Sequence, residues 1–230
     1  MSLHSELAPR LEVINQRIES AAQAAGRDPA TIRLVAVSKR KSVDLIRAAY
    51  DLGVRDFGEN YAQELRDKAK ELNDLPEIRW HFIGPLQRNK ARYIAGVVHT
   101  FHTLASASLA EALDKRLVDK TGKAPLRVLL QLNLSGEESK SGISEHELEP
   151  LLQSVRSHPH LQCEGLMTMP PTANDPREVA PIFERLSTLA AAHGLEQLSM
   201  GMSHDFEVAI AAGATLIRVG SSIFGARAPL

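Results

Sequence analysis

The sequence holds one cysteine in 230 residues, Cys163. No disulfide can form within the chain, and this cysteine usage fits a reducing compartment. No stretch approaches the ~20 consecutive apolar residues of a membrane-spanning helix. The N-terminal segment contains His4, Glu6 and Arg10 and no apolar run, so it does not read as a secretory signal. Charge of neither sign is in excess: 27 Lys+Arg stand against 28 Asp+Glu, for a formal net charge of −1. A general nucleic-acid binder carries a basic excess overall or in one block, and this chain has neither. Pro/Gly/Ser-rich linkers, low-complexity tracts and long runs of like charge are missing too. The expectation is one soluble domain over 1–230, in the cytoplasm, with no nucleic-acid or membrane partner.

What is there is globular. Hydrophobic residues make up 43% and charged residues 24% of the chain. A chain of this length can bury roughly 70–75% of its unfolded surface. Leu11, Ile14, Ile18, Ala21 and Ala25 recur at three- and four-residue steps, predicting an opening helix that Gly26 and Pro29 end. Strand patterns follow at 32–38, 54–57, 78–83, 97–101, 126–132, 161–167, 197–200 and 216–219. Helical patterns separate them. Ser42 is placed to cap one, Pro85 suits the first turn of another, and Ser144 to Glu147 form a capping-box pattern. Asp175-Pro176 opens a further helix, and 203–212 reads as the last.

Regular alternation of strand and helix predicts a parallel sheet. Eight such units predict an α/β fold closed as a (β/α)8 TIM barrel with an extra N-terminal helix. The competitor, an open doubly wound sheet, would show a Gly-rich fingerprint after its first strand, where this chain has Lys39-Arg40-Lys41.

In such barrels active sites lie at the C-terminal ends of the strands. Strand alternation puts Lys39 on the side of Val35 and Val37. If that side faces inward, Lys39 is a buried or half-buried amine of the kind that attacks carbonyls. The alternative is a solvated lysine in a basic turn. Gly58-Glu59-Asn60-Tyr61 follow the second strand and offer a carboxylate and an amide, or an ordinary turn with Asn60 as helix cap. His81 lies in the third strand, and Gln87, Arg88 and Lys90 beyond it are either an anion site or a solvated face. His99 and His102 lack an evident third ligand, so no metal site is expected. The loops after the last two strands, Gly201 to Asp205 and Gly220 to Gly225, are rich in glycine and hydroxyl groups. TIM barrels frequently bind phosphate there. Arg218, two residues before Gly220 on the same face, would need a carboxylate or ligand acceptor if it points inward. Lysine, phosphate loops and arginine suit pyridoxal 5′-phosphate, and lysine and phosphate loops alone suit a sugar-phosphate aldolase.

The stretches Ala36-Val37-Ser38-Lys39, Phe57-Gly58-Glu59-Asn60-Tyr61, Trp80-His81-Phe82-Ile83-Gly84, Leu86-Gln87 with Asn89-Lys90, Gly165 to Met169, Leu198 to Ser203, Ile217 to Gly220 and Phe224 to Arg227 run through nearly the whole chain. Together they resemble the pyridoxal phosphate homeostasis protein family, related in fold to the N-terminal barrel of alanine racemase. The resemblance implies that Lys39 carries pyridoxal 5′-phosphate as a Schiff base, that Asn60 lies beside the ring, that Ser203, Gly220 and Ser221 bind the phosphate, and that Arg218 faces the pyridine nitrogen. Ser42 and Pro85 stand where many members have proline and histidine, and Ser221 is often threonine in relatives.

An arginine facing the pyridine nitrogen favours an unprotonated ring, a poorer electron sink. Racemases of this fold add a second base, a tyrosine from a separate β domain of the partner subunit. Here Leu230 follows directly on the barrel, and Tyr50, Tyr61 and Tyr93 all fall within barrel segments. The resemblance therefore implies reversible holding of the cofactor within intracellular homeostasis, without turnover, by a monomer that passes it to apoenzymes. The alternatives are a single-domain racemase with His81 or Tyr61 as second base, and a cofactor-free Schiff-base aldolase. Cys163 reads as a buried small hydrophobe.

Overall fold

The computed structural model describes residues 2–118, 124–137 and 141–225. Eight parallel strands, β1 (Arg33–Val37), β2 (Asp56–Glu59), β3 (Arg79–Phe82), β4 (Thr100–Leu104), β5 (Leu126–Leu132), β6 (Leu161–Thr168), β7 (Gln197–Met202) and β8 (Leu216–Val219), pair in sequence order. The barrel closes where β8 pairs with β1, Val35 opposite Arg218 and Ala36 opposite Val219. Helix α1 (Leu3–Ala24) precedes β1. The helices α2 (Val43–Asp51), α3 (Ala62–Glu71), α4 (Ala91–Ile94), α5 (Ala107–Leu117), α6 (Leu148–Arg156), α7 (Ala180–Ala192) and α8 (Phe206–Ala211) connect successive strands, and α9 (Ser221–Phe224) follows β8. The expected (β/α)8 barrel with its N-terminal helix is therefore the fold.

Local chemistry explains the element ends. Ser42 Oγ accepts from the Leu45 amide at the start of α2, and the chain turns at Gly53 after its end. The Ser144/Glu147 capping box leads through a short 3-10 turn into α6. Pro85 opens no helix, contrary to the sequence expectation. The residues after it stay irregular as far as Gln87, and a 3-10 turn at Arg88–Lys90 leads into the single turn of α4. The fourth strand also starts later than 97. Val97 and Val98 both donate to the carbonyl of Ile94, so the chain is still leaving α4 there. At the far end β7 runs on to Met202, and α8 starts at Phe206 rather than 203. Asp205 Oδ1 accepts from the Met202 amide at 2.6 Å and holds the intervening residues in a turn.

The main core lies between barrel and helices and includes Phe57, Phe82, Phe101, Phe183 and Phe206, all fully buried. A smaller apolar cluster, Val35, Leu129, Met167 and Leu216, fills part of the barrel interior. Polar groups share that interior: His81, His102, Ser199 and Arg218 are buried and bonded to one another in sequence across the barrel. Among the described residues no helix is long and apolar enough to cross a membrane.

Candidate ligand-binding site

A cavity of about 380 Å³ opens at the C-terminal mouth of the barrel. Its walls come from the ends of β1, β2, β7 and β8 and the loops that follow them, with Ile83 after β3 and Met169 after β6. All six residues that the resemblance implies for the cofactor line it: Lys39, Asn60, Ser203, Arg218, Gly220 and Ser221. Val37, Tyr61, Ile83, Met169 and Met202 add apolar surface. That mixture, mainly apolar walls with a few convergent polar groups, is the usual make-up of a small-molecule site.

Lys39 is half-buried and follows the side of the strand expected for it. Val35 belongs to the interior cluster, and Val37 and Lys39 line the cavity above it. The turn that presents Lys39 is tightly held. Lys41 N donates to Ser38 O, and Arg40 adopts φ +58°, a conformation that side-chain-bearing residues rarely take. Its amide donates to Glu64 Oε1 at 2.6 Å. Lys41 Nζ reaches across to the carbonyls of Phe224 and Gly225 at 2.8 and 3.2 Å, tying this turn to the end of α9. Strain of this kind persists only where the surroundings over-determine it, and it collects at functional sites.

Asn60 stands at the end of β2. It is not the helix cap considered for it, since Tyr61 occupies that position. Its Oδ1 is buried and has no hydrogen-bond partner. Buried amide oxygens are nearly always paired, so this acceptor awaits a donor from whatever enters the cavity. Gly84 packs on the Asn60 backbone so closely that a Cβ there would lie 2.2 Å from Asn60 O.

Arg218 is buried at 3% exposure. NH1 donates to Ser199 Oγ at 2.6 Å and NH2 to the carbonyl of Thr168 at 3.1 Å. An inward arginine is expected to meet a carboxylate or a ligand acceptor; no carboxylate is among these contacts, and both acceptors are neutral. Desolvation draws the Arg218 pKa down to about 10, with Asp205 opposing the change, so the group remains a cation at neutral pH.

The loop after β7 turns sharply at Gly201, φ +88°, where a Cβ would press on Ala209 Cβ at 2.6 Å and Phe206 Cα at 2.9 Å. The loop then brings half-buried Ser203 to the cavity. Gly220 lies against Val37 and caps the single turn of α9, where the amides of Ile223 and Phe224 donate to its carbonyl.

Several other sequence candidates lie elsewhere. Glu59 does not face the cavity. It is fully buried and accepts from Ser38 Oγ and Lys68 Nζ, both at 2.7 Å. Gln87 and Arg88 are exposed away from the cavity. His81 is buried inside the barrel between Asp56 and His102 and does not line the cavity. Tyr61 does line it, but the residue is 45% exposed and its hydroxyl accepts from Arg40 at 3.1 Å. His102 bonds His81 and Ser199, and His99 bonds Thr100 and Arg127. Cys163 is half-buried rather than buried. Of the final motif, Ala226 and Arg227 lie outside the described residues.

Sequence reasoning missed one supporting cluster. Lys68 Nζ donates to Glu59 Oε1, to Glu64 Oε1 and to the carbonyl of Ser38, within 2.7–2.8 Å of each. It joins the ends of β1 and β2 to α3 directly beneath the Lys39 turn. Only the Glu64/Lys68 pair, spaced i,i+4 on a helix, is visible in the sequence.

Comparison with known proteins gives a consistent result. The family described as "Alanine racemase, N-terminal domain" matches residues 10–228. The pyridoxal phosphate homeostasis protein of Pseudomonas aeruginosa is 47% identical over 226 residues, covering 97% of this chain and 96% of its own. A crystal structure of an unknown protein from Bifidobacterium adolescentis superposes with a TM-score of 0.89 at 34% identity, covering 96% of each chain. PipY of Synechococcus elongatus, solved with PLP bound, superposes with a TM-score of 0.79 at 36% identity, covering 92% of this chain and all of PipY. With near-complete coverage in sequence and in structure, the chain belongs to the pyridoxal phosphate homeostasis protein family, whose barrel is that of the alanine racemase N-terminal domain.

Proposed function

We propose that this chain binds pyridoxal 5′-phosphate in the cavity at the barrel mouth, covalently through Lys39, and serves intracellular homeostasis of that cofactor without catalytic turnover. The observation that carries the reading is the convergence of Lys39, Asn60, Ser203, Arg218, Gly220 and Ser221 on one 380 Å³ cavity. The donor set fits the group. The Lys39 amine suits an aldehyde, the Ser203 and Ser221 hydroxyls with the backbone at Gly220 suit a phosphate, and the unpaired Asn60 Oδ1 lacks a donor. Capture joins Nζ to the aldehyde carbon and releases one water, so it is reversible by hydrolysis.

Bound there, the cofactor supplies a reactive aldehyde and a ring that draws electrons from the adjacent carbon. Arg218 decides how strongly the ring does so. A guanidinium donates hydrogen bonds and accepts none, so against the pyridine nitrogen it leaves that nitrogen unprotonated. This weakens the electron sink and favours holding over turnover. Two-base chemistry would need a second proton acceptor at the cavity. His81 lies inside the barrel, and the Tyr61 hydroxyl bonds to Arg40. The same reading makes 1–230 one functional unit, a monomer in the cytoplasm that limits free aldehyde and passes it to pyridoxal phosphate-dependent apoenzymes.

The test is the absorption spectrum of the purified protein with added pyridoxal 5′-phosphate, before and after borohydride, with peptide mapping. The expected result is a visible band, fixed by reduction onto Lys39 and lost as a covalent adduct in Lys39→Ala. A protein that stays colourless with added cofactor, or an adduct on another lysine, overturns the reading. Exchange of the α-proton of amino acids at catalytic rates overturns the part that excludes turnover.

A further inference from the structure

Arg218 is the cavity end of a hydrogen-bond chain that crosses the barrel. NH1 donates to Ser199 Oγ at 2.6 Å. Ser199 Oγ lies 2.8 Å from His102 Nδ1, and His102 Nε2 lies 2.8 Å from His81 Nδ1. His81 Nε2 lies 2.8 Å from Asp56 Oδ1. Asp56 stands toward the opposite mouth, gripped by Arg79 Nε at 2.9 Å and NH2 at 2.6 Å. His81, His102 and Ser199 are all fully buried.

A guanidinium can only donate, and a carboxylate can only accept. His81 therefore donates to Asp56 from Nε2. With both rings neutral, His81 Nδ1 accepts from His102 Nε2 and His102 Nδ1 accepts from the Ser199 hydroxyl, whose oxygen accepts from Arg218. Burial supports the neutral ring in both histidines, lowering the pKa of each. Neighbouring His99 is set the other way. Arg127 NH1 donates to its Nε2 at 2.9 Å, so its proton belongs on Nδ1, facing Thr100 Oγ1.

We propose that Asp56, His81, His102 and Ser199 are positioning residues: a one-way hydrogen-bond relay that locks one edge of the Arg218 guanidinium and so aims its other N–H groups into the cavity. Neutral acceptors alone would let a cavity arginine swing toward any anion in the mouth, including the cofactor phosphate. Anchored through the relay to a carboxylate on the far side of the barrel, Arg218 is held for the ring. The ligand in this inference is the one proposed above, and the relay itself is defined without it.

The first test uses the protein free of cofactor. Long-range ¹⁵N–¹H correlation of the histidine rings near neutral pH is expected to show His81 and His102 as neutral Nε2–H tautomers, with His99 as the Nδ1–H tautomer. An Nδ1–H tautomer or an imidazolium at His81 or His102 overturns the proposal. The second test adds pyridoxal 5′-phosphate to Ser199→Ala. Loss of the NH1 acceptor is expected to move the His102 Nδ1 resonance, shift the absorption maximum of bound cofactor and weaken its binding about tenfold, a typical worth for a hydrogen bond to a charged group. Wild-type affinity together with an unshifted band in a folded Ser199→Ala protein overturns it. If Ser199→Ala does not fold, the wild-type tautomers decide. If wild-type protein takes up no cofactor, the functional reading falls and the tautomers still decide the relay.

Discussion

Lys68 Nζ lies 2.7 Å from Glu59 Oε1 with both side chains buried, 8% and 0% exposed. Burial raises the Glu59 carboxyl pKa, while the Lys68 ammonium pulls it down. Removing one partner leaves the other without compensation. Lys68→Met is expected to destabilise the protein by about 3–5 kcal/mol, as breaking a buried ion pair usually does. Adding Glu59→Gln to Lys68→Met is expected to restore part of that loss. Urea unfolding of the two variants checks this, and a double variant no more stable than Lys68→Met contradicts it.

The interior histidines give a sign and a window for pH dependence. Burial lowers the pKa of His81 and His102 below the usual 6.5. The unfolded chain therefore takes up protons below about pH 6.5 that the native protein refuses, and stability falls as pH falls. Each such histidine contributes a slope of about 1.4 kcal/mol per pH unit once well below that value. Asp56, held below the usual carboxylate range by His81 and Arg79 despite its burial, adds a further loss near pH 4 and below. Chemical denaturation at pH 7.5, 6.5 and 5.5 tests the first window. Stability independent of pH over that range would mean that these rings titrate normally in the native state.

Close approach at Gly84 predicts a lesion that is both structural and functional. In Gly84→Ala the new methyl meets the Asn60 backbone, which has no flexible tip with which to yield. The β2 end must shift, carrying Asn60 from the cavity wall. The expected result is a loss of several-fold in pyridoxal 5′-phosphate affinity, beyond any fall in melting temperature. Titration of folded Gly84→Ala protein checks it, and unchanged affinity would mean that the wall tolerates the displacement.

Cys163 is predicted to be a slow nucleophile. Burial pushes its thiol up to about 11, partly offset by a contact with Gly165 O. Thiolate is the reactive form, so alkylation by iodoacetamide at pH 7.5 is expected to run about 100-fold slower in the native protein than in urea. Equal rates would place the thiol in water.

The fold was legible because its repeats are self-contained. β5 and β8 match the sequence reading residue for residue, each a mainly apolar stretch with sharp turn chemistry at both ends despite Arg127 and Gln131 in one and Arg218 in the other. β4 was displaced because Val97 and Val98, β-branched and apolar, look like strand while their amides still serve the carbonyl of Ile94. The cavity was legible in part: alternation from Val35 through Val37 aims Lys39, and the glycine-rich loops after β7 and β8 form its opposite wall. The relay was not. Ser199 and His102 are 97 residues apart and meet only because their side chains reach each other across a closed barrel interior. Pattern along a strand tells inside from outside, and it carries no information on which inward groups meet.

The closing of β8 onto β1 has a consequence for how the protein is made. Lys39 and Asn60 lie on one side of that seam and Ser203, Arg218, Gly220 and Ser221 on the other. A chain growing from the ribosome can complete one bank of the cavity early, but the opposite bank does not exist until nearly every other strand has been threaded and docked. These are among the contacts of longest sequence separation in the molecule, the ones whose loop-closure entropy is met last. A ligand that contacts both banks would act as a clasp on the finished barrel.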